Sequence, residues 1–185
     1  PDVDIISADI GYKMMGGYIF SNAKDYWLAP GHNSVLNDNG NWYLCHHARP
    51  SNDKNWPYLH IRKILWSDDG WPMANAERYA GEIEQTIPQD KVISDNWEIV
   101  QHHRCSNENA KAMNFALKAD GSATCSDSFI GNGTWIYTEP NAVTITLTNA
   151  KGRQTIIKAK LLASHDWDTN GNVITITGID NYGQA

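Results

Sequence analysis

An all-β fold is predicted by two features of this 185-residue sequence. Apolar residues almost never recur at the spacing of an amphipathic helix, whereas short alternating runs bounded by Gly, Asn and Asp recur throughout. A hydrophobic fraction of 41% is ordinary for a globular chain, so a packed core is expected within one large domain or two small ones.

Taken in order, residues 12–20 read as a strand ahead of a loop at 21–25, and residues 26–29 lead through Pro30 into a Gly31-His32-Asn33 turn. Residues 33–36, 41–48, 58–67 and 71–74 then form four strands in a row. Their connections carry turn chemistry: Asn37-Asp38-Asn39-Gly40 for a hairpin, 50–57 for a longer loop, Asp68-Asp69-Gly70 for a tight turn. Four antiparallel strands in succession make one blade of a β-propeller. A lone blade cannot bury both its faces and requires neighbours.

The character changes after Ala74, where a polar run at 75–84 reads as a linker or a brief helix. The expected division is therefore 1–75, the closing strands of a propeller, and 76–185, a small antiparallel β-barrel or sandwich. Strands are expected at 97–101, 111–118, 133–137, 142–148, 154–163 and 173–177, with turns at Asp120-Gly121, Lys151-Gly152 and Asn170-Gly171. Val143, Ile145 and Leu147 alternate with Thr144, Thr146 and Thr148, which gives one buried face and one wet face.

Composition narrows the partners. A net charge of −6 argues against nucleic acid, whose phosphates call for a basic surface, and favours neutral polymers. Eight Trp and eight Tyr against three Phe suit both half-buried strands and the faces of sugar rings. No apolar run approaches the ~18 residues of a membrane span, and nothing near Pro1 resembles a signal peptide. A chain starting at Pro rather than Met is expected to be a processed or truncated product. Of the three cysteines, Cys45 lies in an apolar strand and reads as a buried free thiol, whereas Cys105 and Cys125 are the more plausible pair.

The segments GYKMMGGYIF, GHNSV, YLCHHARP, LHIRKILW and SDDGWP, in this order, resemble the C-terminal part of extracellular endo-1,5-α-L-arabinanases of glycoside hydrolase family 43. The resemblance is closest over residues 11–82. It implies the last blade of a five-bladed propeller followed by a β-barrel domain, and inverting hydrolysis of α-1,5-linked L-arabinan outside the cell or in the periplasm. Inversion needs one carboxylic acid to protonate the leaving oxygen and one carboxylate to activate water. The family's three acidic residues come from earlier blades, and none of the motifs around them occurs here, so no catalytic residue is assigned. The upstream propeller segment, in the same protein or as a separate chain, is the expected partner.

The resemblance further implies that His32 lines the propeller channel and reaches a metal ion, calcium, which prefers oxygen ligands and would take most of them from water. Arg49 and Arg62, on strands of the blade, are candidates to hold sugar hydroxyls or a carboxylate. Trp56, in the 50–57 loop, is a candidate to contact a sugar ring. Asp68 and Asp69 read as turn residues. Cys45-His46-His47 and His102-His103-Arg104-Cys105 lack zinc-ligand spacing, and neighbours on a strand point to opposite faces. Two other functions fit the composition: a non-catalytic carbohydrate-binding module, and an exo-acting arabinanase or arabinofuranosidase of the same family.

Overall fold

The computed structural model describes residues 12–104 and 106–183. The residues are arranged as β1 (Tyr18–Ile19), β2 (Trp27–Asp38), β3 (Asn41–Pro50), β4 (Tyr58–Trp66), β5 (Pro72–Ala74), β6 (Ser94–Ile99), β7 (Ala110–Lys111), β8 (Met113–Leu117), β9 (Ser122–Cys125), β10 (Asn132–Thr138), β11 (Ala142–Thr148), β12 (Gln154–Asp166) and β13 (Gly171–Asp180). The helical content among the described residues is one 3-10 turn, Gln89–Lys91. Two sheets result, six strands ordered β5-β4-β3-β2-β1-β7 and seven ordered β13-β12-β11-β10-β9-β8-β6. The protein is all-β, as the sequence predicts.

The first sheet carries the expected four-strand antiparallel run β2 to β5. Two details differ from the expectation. The approach at 26–29, the turn expected at Gly31-His32-Asn33 and the strand predicted at 33–36 are one strand, β2, broken by two bulges flanking Gly31. The strand predicted at 12–20 shrinks to β1, and just before it, at Gly17, the chain passes so close to Asn109 that an added Cβ would lie 2.1 Å from its Oδ1. β7 then pairs parallel with β1, so a piece of the second half completes the first sheet.

In the second sheet the predicted alternation holds: Val143, Ile145 and Leu147 are buried beside Phe115, Leu117, Trp135 and Leu161. Trp135 donates its indole N–H to Lys118 O at 2.9 Å, so its polar edge is satisfied inside the core. β9 has no counterpart in the prediction. Its sequence, Ser-Ala-Thr-Cys, offers one buried residue and no apolar alternation.

Residues 75–79 form neither linker nor helix. They run along β4, with Asn75 N–H donating to Lys63 O and Tyr79 N–H to Ile61 O at 2.8 and 2.7 Å. From this strap Asn75 reaches the second sheet: its amide donates to Ser164 Oγ at 3.1 Å and its carbonyl accepts from Thr175 Oγ1 at 2.6 Å. Leu65 and Met73 pack beside it on Leu162 and Ile179. A buried polar clasp and an apolar cluster thus join the two sheets. Cys45 and Cys125 are free thiols, and the Cys105 half of the expected pair lies outside the described residues.

Candidate functional site

The β2 bulges shape the GHNSV segment. Ala29 and His32 adopt φ of 48° and 46°, a left-handed conformation uncommon for residues with a Cβ. Such strain persists where surrounding structure imposes it, and it concentrates at functional positions. The bulge turns the exposed His32 ring toward His47 on β3, with Nδ1 to Nδ1 3.1 Å and ring centroids 4.9 Å apart. A hydrogen bond between them needs an Nδ1–H on one ring and a free Nδ1 lone pair on the other. The sequence names His47 only within the Cys45-His46-His47 run and gives it no role; the strand period, which puts it on the face opposite His46, separates the two.

Arg49 lies on β3 opposite Leu28, half-buried, and its Nε is enclosed without a hydrogen-bond partner. Trp56 is 66% exposed in a loop tied down by Ser51 Oγ and Asn52 Nδ2, which donate to the Asp25 carboxylate at 2.9 and 2.6 Å. These two residues are not brought into contact with each other or with His32.

Arg62 departs from the expectation of a sugar contact. It is 1% exposed, and its guanidinium donates to His46 Nε2 at 3.3 Å, Asn75 O at 2.9 Å, Ala76 O and Tyr18 Oη. Its fork is spent on holding the 75–79 strap to the first sheet. His46 completes the arrangement by donating Nδ1–H to His47 O at 2.9 Å. Burial, reinforced by the Arg62 charge, keeps His46 below its usual pKa.

His60, 2% exposed, stands edge-on to Trp27 and His46, and neither ring nitrogen has a partner. Burial and the charges of Arg62 and Arg78 push its pKa down to about 3, so it is neutral. Glu77, on the strap, is pushed up to about 7, mainly by burial, with the repulsion of Asp166 and Asp168 adding to it and the attraction of Arg62 and Arg78 opposing it. A cavity of about 800 Å³ opens between the sheets, lined by Tyr18, Arg62, Glu77 and His102 on one side and by β12 and β13 on the other. Burial and Lys13 lower the His102 pKa to about 4.

Asp68 and Asp69 occupy the turn the sequence assigns them. Ser67 Oγ donates to Asp69 at 2.5 Å, and Lys160 reaches Asp68 at 2.5 Å from the second sheet. Among the described residues no group of three or more His, Cys, Asp or Glu is placed to hold a metal ion. His32 and His47 stand as a pair.

A curled seven-stranded sheet with a cavity along its inner face, clasped to a four-strand antiparallel unit, defines a lipocalin-like domain joined to a preceding β element. Residues 76–185 match the C-terminal lipocalin-like domain of glycoside hydrolase family 43, and the chain belongs to that family. Over 182 residues it is 28% identical to the extracellular endo-alpha-(1->5)-L-arabinanase 2 of Bacillus subtilis (strain 168), covering 95% of this chain and 36% of that protein. The crystal structure of the family 43 glycoside hydrolase YxiA from Bacillus licheniformis superposes with a TM-score of 0.83 at 26% identity, covering 94% of this chain and 37% of that one. An endo-1,5-alpha-L-arabinanase from Thermotoga petrophila RKU-1 shares the fold with a TM-score of 0.83 at 22% identity, over 95% and 40% of the two chains. The chain thus spans between a third and two fifths of the length of these relatives.

Proposed function

We propose that this chain is the C-terminal portion of an arabinan-degrading glycoside hydrolase, with β2 to β5 closing a five-bladed propeller and the second sheet standing beside it. The observation that carries the reading is an open sheet face in a chain that spans little more than a third of its relatives. Cross-strand register puts Leu36, Cys45, Ile61, Leu59 and His47 on that face. Leu59 is 72% exposed, with Ile61 exposed next to it on the face and Leu36 exposed farther along, at the position opposite Tyr43. An aliphatic patch of this kind on one side of a sheet calls for a protein partner, and a neighbouring blade supplies one.

His32 sits at the edge of the same face. Its Nδ1 is occupied by His47, which leaves Nε2 as its one nitrogen available to a ligand. A single imidazole fits a calcium ion only as a supporting contact, the remaining ligands being oxygens of water or of the upstream portion. Calcium would supply a fixed positive charge that orders water and tunes nearby carboxylates. This chain's part is to hold the His32 ring in place through the bulge and His47. The acid and base of inverting hydrolysis belong to the upstream portion, and the assembled enzyme works outside the cell on linear α-1,5-linked L-arabinan.

The test is co-expression of this chain with the upstream portion, followed by reducing-end release from linear arabinan. Activity of the assembly and none from the chain alone is the expected result. His32→Ala in the assembly should weaken calcium binding at least tenfold by calorimetry and lower arabinan turnover. An assembly that forms yet leaves arabinan intact sinks the proposal.

A further inference from the structure

Arg78 projects from the strap between the two sheets and meets an aromatic ring on each side. Its guanidinium lies 5.1 Å from the Trp27 ring of the first sheet and 6.0 Å from the Trp167 ring in the β12–β13 turn. The series extends to Tyr58, whose ring is 6.5 Å from Trp27 and edge-on to it. Tyr58 is 46% exposed and Trp167 49% exposed, so the two ends of the series face solvent.

The Trp167 ring is held in position. Trp167 donates its indole N–H to Arg78 O at 3.2 Å and stands edge-on to His165. Arg78 Nη2 bonds Asp168 Oδ1 at 3.4 Å, which offsets its charge at the rim. Three segments distant in sequence therefore build one series with half-exposed rings at its ends, Tyr58 and Trp167, and the less exposed Trp27 and Arg78 between them, edged by a neutralised polar pair.

From this we infer that the Tyr58, Trp27, Arg78 and Trp167 ledge is a contact site for a neutral polysaccharide, carried jointly by the two sheets. The chemistry separates this occupant from a protein partner. Sugar rings offer C–H faces to aromatic planes and hydroxyls to rim groups such as Asp168 and Arg78. A protein-binding patch brings aliphatic side chains, and those lie on the other side of β4, at Leu59 and Ile61. Tyr58 shares its face with His60 and Arg62, because side chains alternate along a strand. A polyanionic polymer is disfavoured by the net charge of −6.

The choice of arabinan as the polymer rests on the proposed function; the ledge itself does not. Calorimetric titration of this chain with linear arabinohexaose, xylohexaose and cellohexaose separates the two ideas. Arabinohexaose is expected to bind, with Trp167→Ala and Tyr58→Ala each losing at least tenfold in affinity and Trp167→Phe retaining most of it. Phe129→Ala, at an exposed ring elsewhere on the surface, should bind as the parent does. Xylohexaose or cellohexaose binding in place of arabinohexaose, with the same losses, supports the ledge and counts against the arabinan reading. No binding of any hexaose, or equal affinity in all variants whose circular dichroism matches the parent, overturns the inference. Arabinan hydrolysis by the assembled enzyme would then still stand on its own test.

Discussion

Glu77 makes stability of the two-sheet unit depend on pH in a direction that one substitution exposes. Its carboxyl titrates near 7 in the folded chain against an ordinary value of 4.5, with burial as the largest cause. Between those pH values the folded protein keeps a proton that the unfolded chain has released, so stability falls as pH rises. The contribution is fully present below 4.5 and lost above 7. That interval of roughly two and a half pH units corresponds to at most about 3 kcal/mol, and partial solvent contact reduces the working figure to about 2 kcal/mol. Glu77→Gln keeps the shape and stays neutral at every pH. His60 and His102 act oppositely: their lowered pKa values withdraw stability as pH falls below about 6.5. Urea unfolding of parent and variant at pH 5, 6, 7 and 8, compared as a difference, removes those terms. The two proteins should converge toward pH 5, and the variant should be more stable by about 2 kcal/mol at pH 8. A flat difference, or a less stable variant at pH 8, would show that Arg62 and Arg78 hold the carboxylate ionised and would refute the reasoning.

Three further outcomes follow from the same junction. Arg62→Met strands the carbonyls of Asn75 and Ala76, and should cost about 3 kcal/mol in urea unfolding; unchanged stability would mean that the strap is held by other contacts. His60→Phe keeps an aromatic edge against Trp27 while removing two buried, unpartnered nitrogens, so a gain of about 1 kcal/mol at pH 7 is expected by thermal melting. A clear loss would reveal a bound water or ion that His60 serves. Leu59→Asp should leave the stability of this chain within about 0.5 kcal/mol of the parent, because the side chain is exposed. It should also abolish pull-down of the upstream portion, and retention of that portion would place the blade-to-blade contact elsewhere.

The strands that could be read from sequence were those whose environment is simple. β11 alternates Val, Ile and Leu with Thr because one side meets the core of its own sheet and the other meets water. β4 is harder to interpret. Its first residues alternate between exposed and buried, but Arg62, Lys63, Ile64 and Leu65 are all buried, since the strap and the second sheet cover both sides there. β9 carries no apolar pattern, as neighbouring strands impose its pairing.

Arg62 shows why the site was only partly legible. From sequence, an arginine on a blade strand next to the histidine motif has a free fork and is a natural sugar contact. That reading fails because the acceptors that consume the fork are backbone carbonyls at Asn75 and Ala76, and any residue would supply them equally. Sequence shows which side chains can donate, whereas the acceptors depend on where the chain passes. The same reasoning explains Trp27, Arg78 and Trp167: each is unremarkable in its own segment, and the ledge exists only because the strap leaves β4 beside the β12–β13 turn. His32 was visible for the opposite reason. Its Gly-His-Asn setting reads as a turn and its role comes from the resemblance; the structure makes that turn a bulge within β2, which sets the direction of the ring locally.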